Sequence, residues 1–316
     1  MSTPAAGPSL SVVVPSYRRP DDLARCLRAL AEQEVPPSEA VVVHRAGDED
    51  TRLVAQRFGP PVRPVEVAEP GQVAALRAGA AAAGGEVVAF TDDDAVPRPD
   101  WCRRLRSAFA APDVVAVGGR DVVHHGDVVE EGSERRVGLV TGAGRVVGHH
   151  HLGTGPARDV HHLKGVNMAV RRGCLVFAEG LRGQGAQVAN DLAISLAAGS
   201  SGLRVMYDPA IVVDHHPAVR FDDDGRQVRS LRARTDAAFN QSYVVFSLRP
   251  ELRWRRLAYV LVWGDRDNGG AVRSLAGRLR GEAELRGTAG PLARAHLEAW
   301  REARSRPLRP VTPLQA

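Results

Sequence analysis

The stretch that decides the fold is residues 87–97, a short apolar run that leads directly into three acids. It reads Val87-Val88-Ala89-Phe90-Thr91-Asp92-Asp93-Asp94-Ala95-Val96-Pro97. Its apolar, partly β-branched start predicts a buried strand. Carboxylates this close repel one another unless a cation lies between them, and a hard divalent cation commonly shares carboxylates with substrate phosphates. The stretch therefore indicates a metal–diphosphate site, with an acidic turn or a helix cap as the alternative.

Upstream of this stretch, strand patterns alternate with helical apolar spacing. Apolar runs predict four strands, at 10–14, 40–43, 62–67 and 87–90. This order is typical of βαβ units, whose ligands bind at the carboxyl ends of the strands. Three of those ends carry polar residues: Ser16-Tyr17-Arg18, His44-Arg45 and Asp92-Asp93-Asp94. We therefore expect an α/β fold with a parallel sheet, and a site at this edge.

The composition of the 316 residues excludes several classes of protein. Hydrophobic residues make up 44% and charged residues 25%, which excludes wholesale disorder. No run reaches the roughly 18 apolar residues that span a bilayer, and the N-terminus lacks the basic and apolar parts of a secretion signal. The three cysteines lack paired spacing, which argues against a disulfide scaffold or a zinc ribbon. We therefore expect a cytoplasmic protein.

Several common motifs are missing from the sequence. It has no GxxxxGK[ST] phosphate loop and no GxGxxG after the first strand, so a P-loop NTPase and a Rossmann dehydrogenase have no support. The absence of GxSxG removes support for an α/β-hydrolase. The histidine-rich stretches at 149–151 and 161–162 lack the spacing of a zinc site. We interpret them as part of a loop over the active site.

Segments spread over roughly residues 10–217 resemble the family-2 glycosyltransferases of the GT-A fold. In chain order they are Val12-Val13-Val14-Pro15-Ser16-Tyr17-Arg18, Pro70-Gly71, Asp92-Asp93-Asp94, Gly118-Gly119, Leu163-Lys164-Gly165-Val166-Asn167-Met168-Ala169-Val170-Arg171-Arg172, Asn190-Asp191-Leu192, Tyr207-Asp208-Pro209 and Val213-Asp214-His215-His216-Pro217. The resemblance implies an α/β, GT-A-like fold with a mixed, mainly parallel sheet flanked by helices, here followed by a helical C-terminal extension. It also implies transfer of a sugar, with inversion, from a nucleoside diphosphate sugar to an acceptor hydroxyl, amine or thiol.

The resemblance further implies a site for Mn²⁺ or Mg²⁺. Asp94 would bind the ion, Asp92 would bind the ion or the donor's ribose, and Asp93 would lie beside the donor. His215 or His216 would complete the metal site or contact the diphosphate, with a packed or solvated strand end as the alternative for each. Strand residues alternate faces, so the pair leaves open which histidine points inward. A bound metal would neutralise the charge that the leaving diphosphate gains.

Asp191 matches the position of the general base that inverting transfer needs. A carboxylate within hydrogen-bond reach can take the acceptor's proton. The alternative is an N-cap for a helix predicted at 192–198. Asn190 stands where the family often has Glu, so Asp191 would act alone.

The resemblance assigns a further set of residues to the nucleotide-sugar donor. They are Pro15, Tyr17, Arg18, Arg45, Arg77, Asp92, Asp93, Lys164 and Asn167. Tyr17 offers a ring face to the base, and Lys164 offers a point charge to a phosphate. The family usually has an acid after the second strand to accept the N–H of uracil, whereas this chain has His44-Arg45. Arginine favours acceptor atoms, so a guanine or thymine nucleotide stays open.

The last part of the chain is basic and lies outside the resemblance. From Leu248 onward it has 14 Arg and 7 acids, against a net charge of +5 for the whole chain. The helix pattern at 252–263 mixes arginine, aromatic and aliphatic residues. Such a helix packs on the catalytic domain with its arginines outward, or it lies on a membrane surface. Membrane contact would suit a lipid-linked acceptor.

These observations predict a catalytic domain at 1–217, with a nucleotide-sugar half at about 10–120 and an acceptor half at about 121–217. A helical basic region at 218–304 and a disordered tail at 305–316 follow. We expect a nucleotide-sugar donor, no nucleic-acid partner, and an acceptor that is a saccharide, a lipid-linked molecule or a small molecule. Two other functions stay open: a nucleotidyltransferase, and a non-catalytic transferase domain that binds an anionic partner.

Overall fold

The computed structural model describes residues 7–218, 230–265, 268–279 and 288–312. Through the acidic stretch the chain alternates strands and helices. These elements are β1 (Leu10–Ser16), α1 (Pro20–Ala31), β2 (Glu39–Arg45), α2 (Glu49–Phe58), β3 (Val62–Val67), α3 (Gln72–Ala82), β4 (Val87–Phe90), β5 (Ala95–Pro97) and α4 (Trp101–Ala108).

The middle of the chain contributes two long strands and several very short ones. Its elements are β6 (Val114–His125), β7 (Val128–Val129), β8 (Leu139–Val140), β9 (Val146–Val147), β10 (Arg158–Asp159), β11 (Met168–Arg171), α5 (Asn190–Gly199) and β12 (Arg204–His215). The C-terminal part is mainly helical. Its elements are α6 (Leu231–Leu248), α7 (Arg253–Val262), β13 (Gly264–Asp265), β14 (Asn268–Gly269), α8 (Ala271–Leu279) and α9 (Ala289–Ser305).

A mixed, mainly parallel sheet organises the described part of the chain. Eight of its strands follow the order β10-β12-β6-β11-β4-β1-β2-β3, with β5 paired to β12 and β7 to β6. β3, β2, β1 and β4 run parallel, whereas β11 runs antiparallel to both β4 and β6. β1 and β4 are buried along nearly their whole length, as strands covered on both faces must be. The predicted fold class is confirmed.

The chain reverses its progress across the sheet beside β1. From β1 it proceeds to β2 and β3, and it then returns to β4 on the other side of β1. In open α/β sheets, ligands bind outside the carboxyl ends of the strands at such a reversal. The residues that follow β1, β2 and β4 therefore meet at one edge.

Helices cover both faces of the sheet, and the pleat of β1 decides which residues they contact. Val12 and Val14 join the cluster under α1 and α4, whereas Val13 joins the cluster under α3 and α5. Helix α3 lies especially close to the sheet at Gly79. A Cβ at Gly79 would lie 2.4 Å from the Val13 Cγ1 atom, so a side chain there would push α3 away.

The C-terminal helices continue the core beyond α5. Leu192 and Leu196 of α5 form one buried cluster with Phe239 and Tyr243 of α6 and with residues of α9. Beyond α9 the chain returns to α5. Val311 is buried, and its N–H donates to the Ser200 hydroxyl at 2.9 Å.

Sequence analysis predicted a disordered tail at 305–316. Residues 305–312 of it belong to the described part of the chain, and there Val311 packs on the core. Residues 313–316 lie outside the described residues. None of the helices in the described ranges combines the length and apolar character that a membrane crossing requires.

Candidate active site

A cleft opens at the carboxyl ends of β1, β2, β3 and β4. Loops after these strands, the start of α3 and the loop before α5 supply its walls. The lining residues are Pro15, Ser16, Tyr17, Arg19, Val43, Arg45, Val67, Glu69, Gly71, Gln72, Ala75, Asp92, Asp93, Asp94, Gln184, Gly185 and Ala186. Five residues that sequence analysis assigned to the donor are among them: Pro15, Tyr17, Arg45, Asp92 and Asp93.

Asp92, Asp94 and His215 form a group that could hold a metal ion. Each offers one ligand atom, and these atoms lie within 4.8 Å of one another. His215 reaches the acids because β12 pairs with β5, which opposes His215 to Ala95. Carboxylate oxygens suit Mg²⁺ and Mn²⁺, and an imidazole nitrogen completes many transition-metal sites. The donor set therefore fits a divalent cation.

The two neighbouring histidines face different ways. The Nε2 atom of His215 lies 3.4 Å from Asp94 Oδ1, and its Nδ1 atom lies 3.8 Å from Asp121 Oδ2. The His216 ring instead stacks on His124, with ring centroids 4.5 Å apart. Only the His216 backbone N–H reaches Asp94, whose carbonyl accepts it at 2.8 Å. The assignment of His216 to the metal is therefore corrected, because its ring points out of the group.

Cationic side chains surround the acids. The Arg19 Nη1 atom lies 2.9 Å from Asp93 Oδ1 and 3.3 Å from Asp94 Oδ2. Burial raises the pKa of Asp93 to about 7, although Arg19 acts in the opposite direction. Burial lowers the pKa of His215, but the neighbouring carboxylates of Asp121 and Asp94 outweigh it and raise the pKa to about 9. Because metal ligands must be deprotonated, a metal ion would compete with the His215 proton.

Lys164 lies on the far side of His215, in an ion pair with Asp121. The Asp121 side chain is fully buried. Burial opposes its ionisation, but the nearby His215 ring and the hydrogen-bonded Lys164 outweigh it and lower its pKa. Sequence analysis assigned Lys164 to the donor. In the structure its ammonium group pairs with Asp121, and Lys164 does not line the cleft. Asp121 was missed, although an acid inside a buried strand is a usable signal.

Asn167 is a core residue. It is fully buried, and its amide nitrogen donates to the carbonyls of Arg120 at 3.0 Å and Ile211 at 2.9 Å. Its amide oxygen accepts from Trp101 Nε1 at 2.8 Å. The assignment of Asn167 to the donor is therefore corrected, because its polar atoms are already occupied in linking β6, β12 and α4.

Tyr17 lies between two guanidinium groups. The central carbon of Arg18 lies 5.1 Å from the ring centroid, and that of Arg45 lies 5.6 Å from it. The Arg18 backbone has a positive φ of 56°, and its N–H donates to Asp48 at 2.7 Å. Asp48 also accepts from Thr51 at the start of α2. Arg18 is thus held against Tyr17, outside the cleft lining.

Glu69 is a cleft residue that sequence analysis missed. It follows β3 and pairs with Arg77 at 2.7 Å. Arg77 itself does not line the cleft and reaches its rim through this pair. The family that the sequence resembles usually has an acid after the second strand. This chain has His44-Arg45 there, but it has Glu69 after the third strand. Neighbouring parallel strands end at the same edge of a sheet, so an acid after β3 reaches the same cleft as an acid after β2 would.

Asp191 lies in the first turn of α5. Its Oδ1 accepts from its neighbour Leu192 at 2.8 Å, and its Oδ2 accepts from the backbone N–H of Gly165 at 3.3 Å. The N-cap of α5 is Ala189, so Asp191 is not the capping residue of that helix. Asp191 is not among the residues that line the cleft. The structure fixes its carboxylate against the segment 163–172.

The loop before α5 closes the cleft over the start of α3. The carbonyl of Gly185 accepts the Gln72 N–H at 2.9 Å, and the side-chain oxygen of Gln187 accepts the Val73 N–H at 3.0 Å. Asn190 donates to the carbonyls of Ala186 at 3.0 Å and Gln187 at 3.1 Å. Gln187 therefore caps a helix that lies more than a hundred residues earlier in the chain, which no local signal could reveal.

The histidine-rich middle is structural where it is buried. The Nε2 atom of His150 contacts the carbonyl of His162 at 3.0 Å, and the Nε2 atom of His162 contacts the carbonyl of Val147 at 3.1 Å. Burial lowers the pKa of His150 to about 3. These neutral rings fasten the short hairpin of β8 and β9 to the domain, and they do not line the cleft.

Known glycosyltransferases are similar to this chain in sequence and in fold. Residues 11–173, just over half of the chain, match the model of the family "Glycosyl transferase family 2". The chain is 30% identical over 118 residues to glycosyltransferase AglE of Haloferax volcanii, a match that covers 35% of this chain and 39% of AglE. The chain thus spans about two fifths of the length of that curated relative.

Two solved structures show the same fold at low identity. The mannosyltransferase PcManGT from Pyrobaculum calidifontis, in complex with GDP-Man and Mn²⁺, has a TM-score of 0.54 and 19% identity, and the match covers 95% of this chain and 88% of that chain. S. aureus TarS 1–349, in complex with UDP-GlcNAc, has a TM-score of 0.60 and 15% identity, with coverages of 94% and 87%.

Proposed function

The chain belongs to glycosyl transferase family 2, and we propose that it transfers a sugar from a nucleoside diphosphate sugar to an acceptor nucleophile with inversion. The observation that carries this proposal is the group formed by Asp92, Asp94 and His215 at the reversal point of the sheet. A diphosphate in the cleft would lie beside the position where these residues would hold Mn²⁺ or Mg²⁺. That ion would supply positive charge to the leaving diphosphate.

Protein residues supply the rest of the donor site in this proposal. Tyr17 and Arg45 would contact the base, because they line the cleft where β1 and β2 end. Glu69 would accept a base N–H, and Arg19 would meet a phosphate if a metal ion released it from Asp93 and Asp94. An arginine donates hydrogen bonds and a carboxylate accepts them, so the two together can bind a base that has both acceptors and donors. Guanine, uracil and thymine are therefore all candidates for the base of the donor.

Asp191 is our candidate for the general base. Its carboxylate is fixed by the backbone N–H groups of Leu192 and Gly165. In the mechanism we propose, the acceptor enters from the side of β11 and α5, and Asp191 takes the proton of its nucleophilic atom as that atom attacks the sugar. The acceptor half at about 121–217 would then bind the acceptor, and the half at about 10–120 the donor.

Two finer points of the proposal are the class of donor, which the solved structures support, and the cellular compartment, which the cysteines support. PcManGT is described with GDP-Man and Mn²⁺, and TarS with UDP-GlcNAc, so a nucleotide sugar is the donor class that we propose here. The three cysteines are buried and unpaired, which supports a reducing compartment such as the cytoplasm.

Thermal unfolding with nucleotides tests the proposal. The protein is heated with UDP, GDP, dTDP, CDP or ADP, each with and without Mn²⁺. A ligand that binds only the native state raises the unfolding midpoint, so we expect one nucleotide to raise it in a metal-dependent manner. No shift with any nucleotide, on a sample that unfolds cooperatively, would contradict the proposal and favour a non-catalytic domain. Release of pyrophosphate from a nucleoside triphosphate would favour a nucleotidyltransferase instead.

A further inference from the structure

An exposed surface on the C-terminal helices lies outside the cleft and combines apolar with cationic side chains. We call it the Trp254 surface, and it consists of Trp254, Arg255 and Val262 of α7 with Leu297, Arg301 and Arg304 of α9. Trp254 is 71% exposed, Val262 42% and Leu297 38%. The three arginines are also exposed. Exposed apolar groups clustered in this way mark interaction sites more often than scattered ones do.

Helix geometry makes this a single surface. Residues 254, 258 and 262 recur every four positions on α7, while Arg256 and Val260 of that helix are buried. Residues 294, 297, 301 and 304 recur at intervals of three or four on α9, whose other face is buried. The rings of Trp254 and Trp300 meet at a centroid distance of 5.3 Å and join the two faces. Arg304 lies over the Trp300 ring at 4.7 Å.

The charge of the Trp254 surface is positive. Two nearby acids are paired elsewhere: Glu251 with Arg249 at 2.6 Å, and Glu298 with Arg182 at 2.9 Å. Within the described ranges, Arg255, Arg301 and Arg304 form no ion pair with an acid of the chain. Their guanidinium groups are therefore available to an external anion.

We propose that the Trp254 surface docks on an anionic lipid bilayer. Tryptophan rings and aliphatic side chains insert at the boundary between headgroups and acyl chains, and arginines around them bind lipid phosphates. Each arginine near an anionic membrane surface adds to the attraction, so several on one face act together. The surface thus has both components that an interfacial helix needs.

A second copy of the chain is a poorer occupant of this surface. A symmetric dimer brings the same patch of each copy together, so the arginines of one copy would face those of the other. Like charges at an interface repel and oppose association. An anionic bilayer instead complements the charge.

Sedimentation with vesicles tests this inference on the full chain. The probes are vesicles of phosphatidylcholine alone and vesicles that also contain phosphatidylglycerol. We expect the protein to pellet with the anionic vesicles, to remain in the supernatant with the neutral ones, and to be released by salt, which screens the arginines. Failure of the wild-type chain to pellet with the anionic vesicles would overturn the inference.

Matched variants locate the surface. The double variant Arg301→Glu/Arg304→Glu should bind at least about tenfold more weakly to the anionic vesicles, and Trp254→Ala should also weaken binding. The control Arg28→Glu/Arg57→Glu makes the same change of charge at exposed positions of α1 and α2 and should bind almost as tightly as the wild type. Equal binding by the two double variants would show that net charge, not this surface, attracts the lipid, and would refute the assignment.

Two further measurements separate this inference from its competitors. Nucleotide-dependent thermal shifts of these variants should match the wild type, because the surface lies outside the cleft. The proposed transferase activity can therefore be refuted while lipid binding is confirmed, and the reverse also holds.

Sedimentation equilibrium should show a monomer for both the wild type and Trp254→Ala. A wild-type dimer that Trp254→Ala dissociates would assign the surface to a second copy and overturn the lipid assignment.

Discussion

At the scale of single residues, positive and negative side chains alternate in a row beneath the cleft. Lys164 pairs with Asp121, Asp121 faces His215, His215 faces Asp94, and Asp94 contacts Arg19. Asp121 and Asp94 are almost completely buried, where an unpaired charge would be costly. In this row the pKa of Asp121 is lowered, and His215 lies between the carboxylates of Asp121 and Asp94.

Replacing Asp94 should remove metal-dependent nucleotide binding. We expect Asp94→Asn to lose the thermal shift that a nucleotide gives with Mn²⁺, because the amide is a poorer ligand and carries no charge. The variant should also unfold at a lower temperature, since Arg19 and His215 each lose one of the two carboxylates that they face. Asp127→Asn, at an exposed position, is the control and should behave like the wild type. A metal-dependent shift retained in Asp94→Asn would remove Asp94 from the metal site.

Replacing Asp191 should separate binding from transfer. Asp191→Asn preserves the shape of the side chain but cannot accept a proton, so nucleotide binding should persist. Turnover should fall by about 10²–10⁴, the usual contribution of a general base. The measurement is a single-turnover rate with a nucleoside diphosphate sugar whose base is the one that the thermal screen identifies. A rate close to that of the wild type would exclude Asp191 as the base.

At the scale of elements, patterns within the sequence predicted what depends on local spacing. The strands β1–β4 were found because buried parallel strands are short, apolar and β-branched, and the acids after β4 stood out because they follow such a strand. The resemblance assigned Asp92, Asp94 and His215 to one metal site, and in the structure these three residues lie together. The sequence therefore predicted the edge of the sheet at which the cleft lies.

Contacts between distant segments were not predictable in this way. Nothing near Gln187 shows that its side chain caps α3, since the two are joined only by the fold. Asn167 resembled a donor ligand, but burial and three hydrogen bonds occupy its amide. Val311 lies in a polar tail by sequence, yet it is buried against α5, and Leu308 of the same tail packs on the cluster of α5, α6 and α9.

The cap from Gln187 should stabilise both α3 and the cleft. We expect Gln187→Ala to lower the free energy of unfolding by about 1 kcal/mol, the usual effect of losing a helix cap. It should also weaken nucleotide binding, because Gln184 and Gly185 line the cleft in the same loop. Urea unfolding and the thermal screen measure the two effects. Gln56→Ala, on the exposed face of α2, is the control, and equal effects of both variants would refute the cap's role.

At the scale of the whole molecule, two buried histidines couple stability to pH. Burial lowers the pKa of His150 to about 3, and burial together with the nearby Arg256 lowers the pKa of His296 to about 3. In the unfolded chain both histidines bind protons as the pH falls below about 6.5, whereas in the folded protein they stay neutral until about pH 3. Through these two histidines the unfolded state holds more protons, so their contribution to stability falls as the solution becomes more acidic, whereas the raised pKa of Asp93 acts in the opposite direction.

Each of these histidines should lower the free energy of unfolding by up to about 1.4 kcal/mol per pH unit below pH 6.5. His296→Gln removes one of them and should reduce the slope by about 1 kcal/mol per pH unit. Urea unfolding of both proteins between about pH 7.5 and pH 5 measures the difference. Parallel stability curves would contradict the prediction, because they would show that His296 takes up its proton equally in both states.

The return of Val311 to α5 has a consequence for the order of events during synthesis. Its backbone N–H donates to the Ala197 carbonyl at 3.3 Å, across more than a hundred residues of chain. Domains generally begin to fold from the N-terminus while the ribosome is still adding residues. Here the strands around the cleft can assemble early, but the core beneath α5 is finished only after α9 and the segment beyond it have emerged. A ribosome that stalls within the C-terminal helices would thus leave a nascent chain with its cleft strands present and this part of its core still open.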